Sequence, residues 1–429
     1  MQGLGYRSHY IAQLNESLIG KSVTVAGWIE DVRDIGRLVF VVIRDTTGTI
    51  QTIVRGKNVN VAKDIPRQSS VIVSGTLKKS DARDYPVEIS IQDLHVFSRA
   101  IYPLPIDATG RVGSSIDKRI DSRALDLRNP SVSTIFKIRS HALYTIRQNL
   151  STNGFLEVNT PKIIGTASEG GANLFSFEYF KRKAYLAQSP QLYKEQLTIA
   201  LDRVFEIGPY FRSEKSHTVR HLSEFISVDI EAAFVDYNNL MVILEELIKM
   251  VVESVYRKYK DSPDIQFRDQ NNLGSIEKLT YKQCLAELSN EGEKMEFGAD
   301  LTDSSLRLLG EKHKGFYFIT DWPTKLKPFY IQEKDDDPEL SESFDLQYGY
   351  LELASGGTRL HSKDSLRRRL EQNGLNPKNF AEHLKVFDWG IPPHAGWGLG
   401  FDRLIMVLTN SQNIREVVLF PRDVERLNP

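Results

Sequence analysis

Apolar and polar residues alternate through the first hundred positions with the two-residue period of half-buried strands. Val23-Thr24-Val25-Ala26-Gly27-Trp28-Ile29 opens the pattern, residues 38–43 form a continuous apolar run with β-branched residues, and 50–54, 70–75 and 87–91 supply further strand-like runs. The turn residues Asp45-Thr46-Thr47-Gly48 separate two of these runs. Five short strands in about 80 residues predict a small closed barrel, and the oligonucleotide-binding barrel (OB-fold) is the commonest of that size. Tyr102-Pro103-Leu104-Pro105 then stops the alternation, because two close prolines fix φ and remove backbone donors. The first domain is therefore expected to span 1–105, with the charged, irregular stretch 106–130 as a hinge.

From residue 131 to 429 the period changes. An amphipathic helix is expected over 135–150, ended by Asn153-Gly154 and followed by a strand at Phe155-Leu156-Glu157-Val158. Apolar residues at 240, 243, 244, 247, 248, 251, 252 and 255 mark a long helix with one core-facing stripe. Hairpin-like runs at 205–211 and 226–234, with a further strand at 315–319, point to a largely antiparallel sheet. The fold class read from these elements is α+β multidomain, a barrel followed by a helix-flanked antiparallel sheet.

Composition narrows the partners. The 429 residues carry 55 Lys/Arg against 56 Asp/Glu, so bulk charge does not hold this chain on a polyanion. The barrel segment is mildly basic, with 13 Lys/Arg and 10 Asp/Glu in residues 1–105. The single cysteine, Cys284, excludes an intramolecular disulfide framework and a multi-cysteine zinc site. It fits a reducing compartment. No run approaches 18 apolar residues and no signal-peptide core opens the chain, so a cytoplasmic protein without membrane contact is expected.

Four clusters carry candidate chemistry. Phe211-Arg212-Ser213-Glu214 and Arg220-His221-Leu222 flank a polar loop between two strands, where arginine forks could bind phosphate; a solvated hairpin is the plain alternative. Gly396-Trp397-Gly398-Leu399-Gly400-Phe401-Asp402-Arg403 spaces three glycines at alternate positions before a helix expected from Leu404. That spacing lets a backbone approach a ligand or another strand, and it is not a P-loop. In Glu352-Leu353-Ala354-Ser355-Gly356-Gly357-Thr358-Arg359, Glu352 with Ser355 or Asp345 could hold Mg²⁺; a solvated acidic edge is the alternative. Last, Ser168-Glu169-Gly170-Gly171 reads as a loop, and Gln191-Leu192-Tyr193-Lys194 as a helix start; Glu169 and Lys194 could bracket a small zwitterion.

In this order the clusters resemble a class II aminoacyl-tRNA synthetase. Gly154 through Pro161 looks like motif 1, Phe211 through His221 like motif 2, and Gly398 through Arg403 like motif 3. The N-terminal barrel points to the subclass IIb group for aspartate, asparagine and lysine. Phe420-Pro421-Arg422-Asp423 and Ser355-Gly356-Gly357-Thr358-Arg359 favour the archaeal/eukaryotic type of aspartyl-tRNA synthetase, over essentially the whole chain. The resemblance implies ATP and L-aspartate as substrates, Mg²⁺ as cofactor, tRNA(Asp) with tRNA(Asn) as an open second acceptor, and a homodimer with Pro161 at its interface.

It also implies roles. Arg212, Arg403 and Glu352 would be catalytic, with Arg212 on the α-phosphate and the amino acid's carboxylate. Ser213, Glu214, Arg220, His221, Leu222, Gly400, Phe401 and Asp402 would join Arg212, Glu352 and Arg403 around ATP. Glu352 and Ser355 would hold Mg²⁺. Glu169 would close over the aspartate ammonium, Arg359 and Lys194 would pair with its side-chain carboxylate, and Gln191, Arg212 and Ser355 would lie nearby. In the barrel, Trp28 or Phe40 could stack an anticodon base, with barrel core as the plain alternative. The family's anticodon-discriminating strand position falls at Glu30, which matches neither common choice there, and Pro86 sits in the neighbouring loop.

Some positions depart from the family pattern: Ser213 stands where Ala is common, Ser216-His217-Thr218-Val219 replaces an Asn/Thr-rich loop, and Thr358 replaces a frequent Gln. Three other readings compete: an asparaginyl or lysyl enzyme, an amidoligase relative, and a non-catalytic tRNA-binding paralogue. Amidoligase relatives usually lack the barrel, and a non-catalytic paralogue would be expected to lose Arg212, Glu352 or Arg403.

Overall fold

The computed structural model describes residues 5–165, 174–213, 218–262 and 273–429. It divides into two compact units, Met1–Val132 and Ser133–Pro429. The first unit thus extends past the proline pair, and the segment expected to be an irregular hinge carries two short helices, Ile116–Asp121 and Arg123–Asp126. Arg123 and Asp126 are both buried and pair at 2.8 Å, which explains why this charged stretch folds.

The first unit is a closed barrel of β1 (Ser22–Asp34), β2 (Val39–Arg44), β3 (Thr49–Val54), β4 (Ser70–Lys79) and β5 (Val87–Ser98), in the order β1-β2-β3-β5-β4. Only β3 and β5 pair in parallel. The predicted alternation is realised: Val23, Val25, Ile29, Val39, Val41, Ile43, Val71, Val73 and Ile89 fill the interior. Closure needs sharp strand crossings, and Gly75 provides one, since a Cβ there would sit 2.2 Å from the Ser90 carbonyl oxygen. A bulge between Ile29 and Asp31 breaks the β1–β2 register, so Ile29 and the adjacent Glu30 are both buried.

The second unit is built on an eight-stranded sheet. In chain order its first strand is β6 (Leu156–Glu157). A separate three-stranded sheet, ordered β7-β9-β8, follows with β7 (Ile163–Ile164), β8 (Ser176–Tyr179) and β9 (Arg182–Leu186). The large sheet resumes with β10 (Arg203–Phe211), β11 (Glu224–Ala233), β12 (Glu277–Thr280), β13 (Phe316–Thr320), β14 (Ser343–Tyr348), β15 (Leu351–Thr358) and β16 (His394–Gly400). Its order is β12-β13-β14-β15-β16-β11-β10-β6. The pairings are antiparallel except β12 with β13 and β10 with β6.

The long helix Tyr237–Tyr259 packs its apolar stripe, Leu240, Leu244, Leu247, Ile248, Val251, Val252 and Val255, into the main core with Phe344, Leu353, Trp397 and Leu399 of the sheet. Asp236 caps it by accepting from Asn239 N–H at 2.9 Å. The helix Pro130–Thr152 starts earlier than the spacing predicted, with proline at its first position. Gly154 follows it at φ +80°. Cys284 is a buried core residue beside Tyr281 and Tyr317, and burial pushes its thiol up to about 12. Among the described residues, no helix is long and apolar enough to cross a membrane.

Candidate active site

The site forms where β15, β16 and β11 lie side by side. In the β11–β16 register Ser227 faces Gly400, Asp229 faces Gly398 and Glu231 faces Gly396. The alternate glycines therefore stand opposite alternate polar residues. A Cβ at Gly396 would lie 1.9 Å from Glu231 Oε2 and 2.4 Å from the Ile230 carbonyl oxygen; at Gly398 it would lie 3.0 Å from Asp229 Oδ1. The glycine spacing thus makes room for buried carboxylates inside the sheet. Gly396→Ala is expected to cost roughly 1–3 kcal/mol of stability through overpacking. Gly398→Ala is expected to cost less, and denaturant unfolding of the two variants checks the order.

These strands floor a cavity of about 310 Å³. Gln191, Arg212, Arg220, His221 and Leu222 line it together with Glu352, Ser355, Arg359, Gly400, Asp402 and Arg403. All three sequence clusters around Arg212, Glu352 and Arg403 therefore converge. The helix Phe401–Thr409 begins three residues earlier than expected and puts Arg403 in its first turn. Arg403 Nη1 donates to the Glu352 carbonyl oxygen at 2.8 Å and Nε to the Arg220 carbonyl oxygen at 3.4 Å. Arg212 lies with its guanidinium carbon 5.2 Å from the Phe225 ring centre. Arg220 pairs with Asp303 and sits 5.2 Å from the Tyr350 ring centre. His221 Nδ1 lies 2.6 Å from Thr218 Oγ1.

Near these cations, Asp345 faces Ser355 across β14 and β15, and Glu352 sits beyond a register shift. Lys327 donates to both Asp345 oxygens at 2.8 and 2.7 Å. Glu352 keeps access to solvent through the cavity. Desolvation at the crowded wall, followed by the Asp345 charge, pushes its carboxyl above the ordinary range against Arg403, Lys327 and Arg212. Two carboxylates and a hydroxyl on one wall form an oxygen donor set suited to a hard divalent cation.

Other expected residues lie elsewhere. Glu169 and Glu214 fall outside the described residues. Ser213 does not line the cavity. The Phe401 side chain is fully buried in the main core, so only its backbone belongs near the site. Asp402 touches the cavity, but its carboxylate pairs with Arg139 and accepts from Ile226 N–H at 2.8 Å. It braces the helix against β11.

Lys194 lies behind the wall, 3% exposed. Its ammonium donates to Asp229 Oδ1 at 3.0 Å and to the Ile230 and Trp397 carbonyl oxygens at 3.2 Å each. Asp229 lines the cavity in its place. Arg359 donates from Nε to Glu231 Oε1 at 2.9 Å and from Nη2 to Glu231 Oε2 at 3.3 Å. Sequence reasoning missed Asp229, Glu231 and Lys327. Two acids spaced by two, after Ser227, in the mostly apolar run 226–234 were the available signal for the first pair.

In the barrel, Phe40 is half-buried on the outer face, between Arg33 of β1 and Ile53 of β3, and Pro86 is exposed. Neither Phe40 nor Trp28 is barrel core. Trp28 is covered on one face by the Arg128 guanidinium, 4.7 Å from a ring centre, and Glu30 is locked to Arg44 by two 2.8 Å hydrogen bonds. These partners leave Phe40 the more open aromatic surface.

Comparisons with known proteins agree with this arrangement. Residues 115–424 match the family model for tRNA synthetases class II (D, K and N), and residues 23–97 match that for the OB-fold nucleic acid binding domain. The chain is 44% identical to an aspartate–tRNA(Asp/Asn) ligase of Methanothermobacter thermautotrophicus, covering 99% of this chain and 98% of that one. It is 41% identical to an aspartate–tRNA(Asp) ligase of Thermoplasma volcanium, covering 98% and 99%. Among solved structures, asparaginyl-tRNA synthetase of Pyrococcus horikoshii with asparaginyl-adenylate superposes with a TM-score of 0.93 at 32% identity, covering 98% and 99%. Aspartyl-tRNA synthetase of Entamoeba histolytica superposes at 0.88 and 30% identity, covering 99% and 93%. With an OB-fold barrel ahead of a glycine-floored sheet that gathers all three motifs, this chain belongs to the class II tRNA synthetases of the aspartate, lysine and asparagine group.

Proposed function

We propose that the protein is an aspartate–tRNA ligase, which activates L-aspartate with ATP and transfers it to the 3′-terminal adenosine of tRNA(Asp), with tRNA(Asn) as a second acceptor. The observation that carries the reading is Arg359, a buried cation at the cavity wall whose Nε and Nη2 are spent on Glu231 and whose Nη1 has no acceptor among the described residues. A substrate carboxylate matches it in both hydrogen bonding and charge; the oxygen of a neutral amide accepts but brings no charge, and an ammonium only donates. The names of the relatives support the same choice, and both tRNA(Asp) and tRNA(Asp/Asn) ligases occur among them.

The aspartate α-carboxylate attacks the α-phosphorus of ATP in line, and the bond to pyrophosphate breaks. The nucleophile is already ionised, so the site supplies position and charge rather than a base. Arg212 and Arg403 bracket the developing phosphate charge, and Arg220 and His221 face the outer phosphates. Phe225 and the Arg403 guanidinium offer flat faces to adenine. The tRNA hydroxyl then attacks the mixed anhydride and AMP leaves. Glu352, Ser355 and Asp345 would hold Mg²⁺, whose contribution is to neutralise phosphate oxygens.

Two copies would pair through the segment around Pro161, where Tyr144, Leu156 and Ile163 are exposed apolar side chains. The family and the single buried cysteine support a cytoplasmic location.

Exchange of pyrophosphate into ATP, with aspartate, asparagine and lysine offered separately, tests the assignment. Exchange with aspartate alone is expected; exchange with asparagine or lysine overturns the reading of Arg359. In the barrel, Phe40→Ala is expected to raise the KM for tRNA by about tenfold or more, since base stacking is worth roughly 1–3 kcal/mol. Aspartate-dependent exchange without tRNA should be unchanged in that variant.

A further inference from the structure

Behind the cavity wall lies a cluster that the motifs do not account for. Glu195, on the helix Gln191–Leu201, is fully buried. Its Oε1 accepts from Gln191 Nε2 at 2.6 Å. Its Oε2 faces His383 Nε2 at 3.4 Å and His394 Nε2 at 3.6 Å, and none of these three atoms has a nearer hydrogen-bond partner among the described residues. His394 and His383 are themselves 0% and 3% exposed.

The protons can be assigned from the partners. His394 Nδ1 lies 2.8 Å from the Pro392 carbonyl oxygen, which only accepts, so Nδ1 carries a hydrogen. A bare Nε2 would then aim its lone pair at a carboxylate. The arrangement favours a proton there, making His394 an imidazolium against an ionised Glu195. Burial alone would raise the Glu195 carboxyl, but the hydrogen bonds and charges of His383 and His394 outweigh it and hold the group well below the ordinary carboxylate range. Burial would lower His394; Glu195, Glu231 and the Pro392 carbonyl raise it instead. From the other elements, Arg359 faces Glu195, and Gln196 lies 3.5 Å from His383 Nδ1.

An ionised carboxylate only accepts, so Gln191 can offer Glu195 nothing but its NH₂. That leaves Gln191 Oε1 toward Arg359 Nη2, at 3.4 Å. A flipped amide would set NH₂ against the guanidinium and oxygen against the carboxylate, two mismatches at once. Gln191 lines the cavity, and in the flip-locked state both ends of its amide are committed inside the protein. With Gln191 Oε1 on its Nη2, the Arg359 guanidinium is held in place as the cation that this part of the wall presents to a substrate carboxylate.

We propose that Glu195, paired with His383 and His394, is a positioning residue that selects aspartate over asparagine by locking the Gln191 amide so that its oxygen stays on Arg359. The inference rests on the aspartate reading above. With a neutral residue at 195 the Gln191 amide is free to turn, Arg359 Nη2 loses its contact with Oε1, and the guanidinium holds a substrate carboxylate less well.

The test is pyrophosphate exchange by the full-length enzyme, comparing kcat/KM for aspartate with that for asparagine. In Glu195→Gln, which keeps the side-chain shape, the aspartate-to-asparagine ratio is expected to fall about tenfold, the size of effect when one buried polar group changes partner. The loss should appear in the KM for aspartate while the KM for ATP stays constant. An unchanged ratio, or equal losses for both amino acids, overturns the proposal and leaves Glu195 a purely structural residue.

The exchanged pair Gln191→Glu/Glu195→Gln keeps the charge and one donor–acceptor contact but puts a carboxylate on Arg359. It is expected to lose aspartate more severely than the single variant and to favour asparagine. Retained aspartate preference in that variant overturns the proposal even if Glu195→Gln does not fold. A wild-type enzyme that activates no aspartate refutes the functional assignment; a wild type that does, with variants whose ratio is unmoved, refutes only this inference.

Discussion

Arg403→Ala is expected to abolish measurable adenylate formation while leaving tRNA affinity nearly unchanged. Arg403 joins three pieces of the site that are far apart in the chain. It sits in the first turn of the helix after the glycine strand, and its hydrogen bonds reach the backbone of Glu352 and of Arg220. Alanine removes a positive charge from the phosphate wall and also frees two segments that the guanidinium holds together. Losing one preorganised donor to developing charge typically costs about 10²–10³ in rate. The loosened Glu352 and Arg220 add to that loss. Pyrophosphate exchange measures the first quantity and fluorescence anisotropy with labelled tRNA the second. Parallel losses in both would show that Arg403 maintains the whole fold rather than the chemistry.

Arg359→Leu is the second large effect, and the structure gives it two parts. Aspartate activation should vanish because the substrate carboxylate loses its cation, while ATP binding, measured by equilibrium dialysis, should persist. Stability should fall as well. Glu231 is 0% exposed, and without Arg359 its remaining cation is Lys194 at 3.4 Å. Removing one member of a buried ion pair costs roughly 3–5 kcal/mol, because the other charge stays in the interior. The double variant Arg359→Leu/Glu231→Gln should recover much of the melting temperature and none of the aspartate activation. Full activity in the single variant would remove Arg359 from the substrate pocket.

The barrel was legible because its period-two pattern is local: each inward residue announces itself within two positions. The long helix was legible for the same reason at a different period, with Val251, Val252 and Val255 buried where the spacing put them. The convergence of Arg212, Glu352 and Arg403 was readable only as a combined resemblance, since each cluster alone also suits a solvated surface. The ionic network was not readable. Lys194 meets carbonyl oxygens 36 and 203 residues away, and Arg359 meets Glu231 across 128 residues. Such pairs exist only once β11 and β16 are in register, and no local pattern encodes that register. Glu30 and Trp28 show the same gap: the Arg44 and Arg128 that occupy them come from pairing and packing rather than from neighbours in sequence.

The place of β16 in the sheet also governs when the enzyme can come into being during synthesis. It lies between β15 and β11, with Gly400 opposite Ser227. Before it is made, the strands from β12 to β15 and those from β6, β10 and β11 have no common edge. A nascent chain that has not reached residue 400 thus holds Gln191 and Arg212 with one half of the sheet and Glu352 and Arg359 with the other, as two unjoined halves. The barrel pairs strands within its own first hundred residues and has no such dependence. Contacts this remote along the chain also form slowly, because the long intervening loop must close first. A ribosome stalled after β15 should therefore display a finished nucleic-acid-binding module tethered to a split, inactive sheet. One seven-residue strand, His394–Gly400, acts as the keystone whose arrival turns that assembly into a ligase.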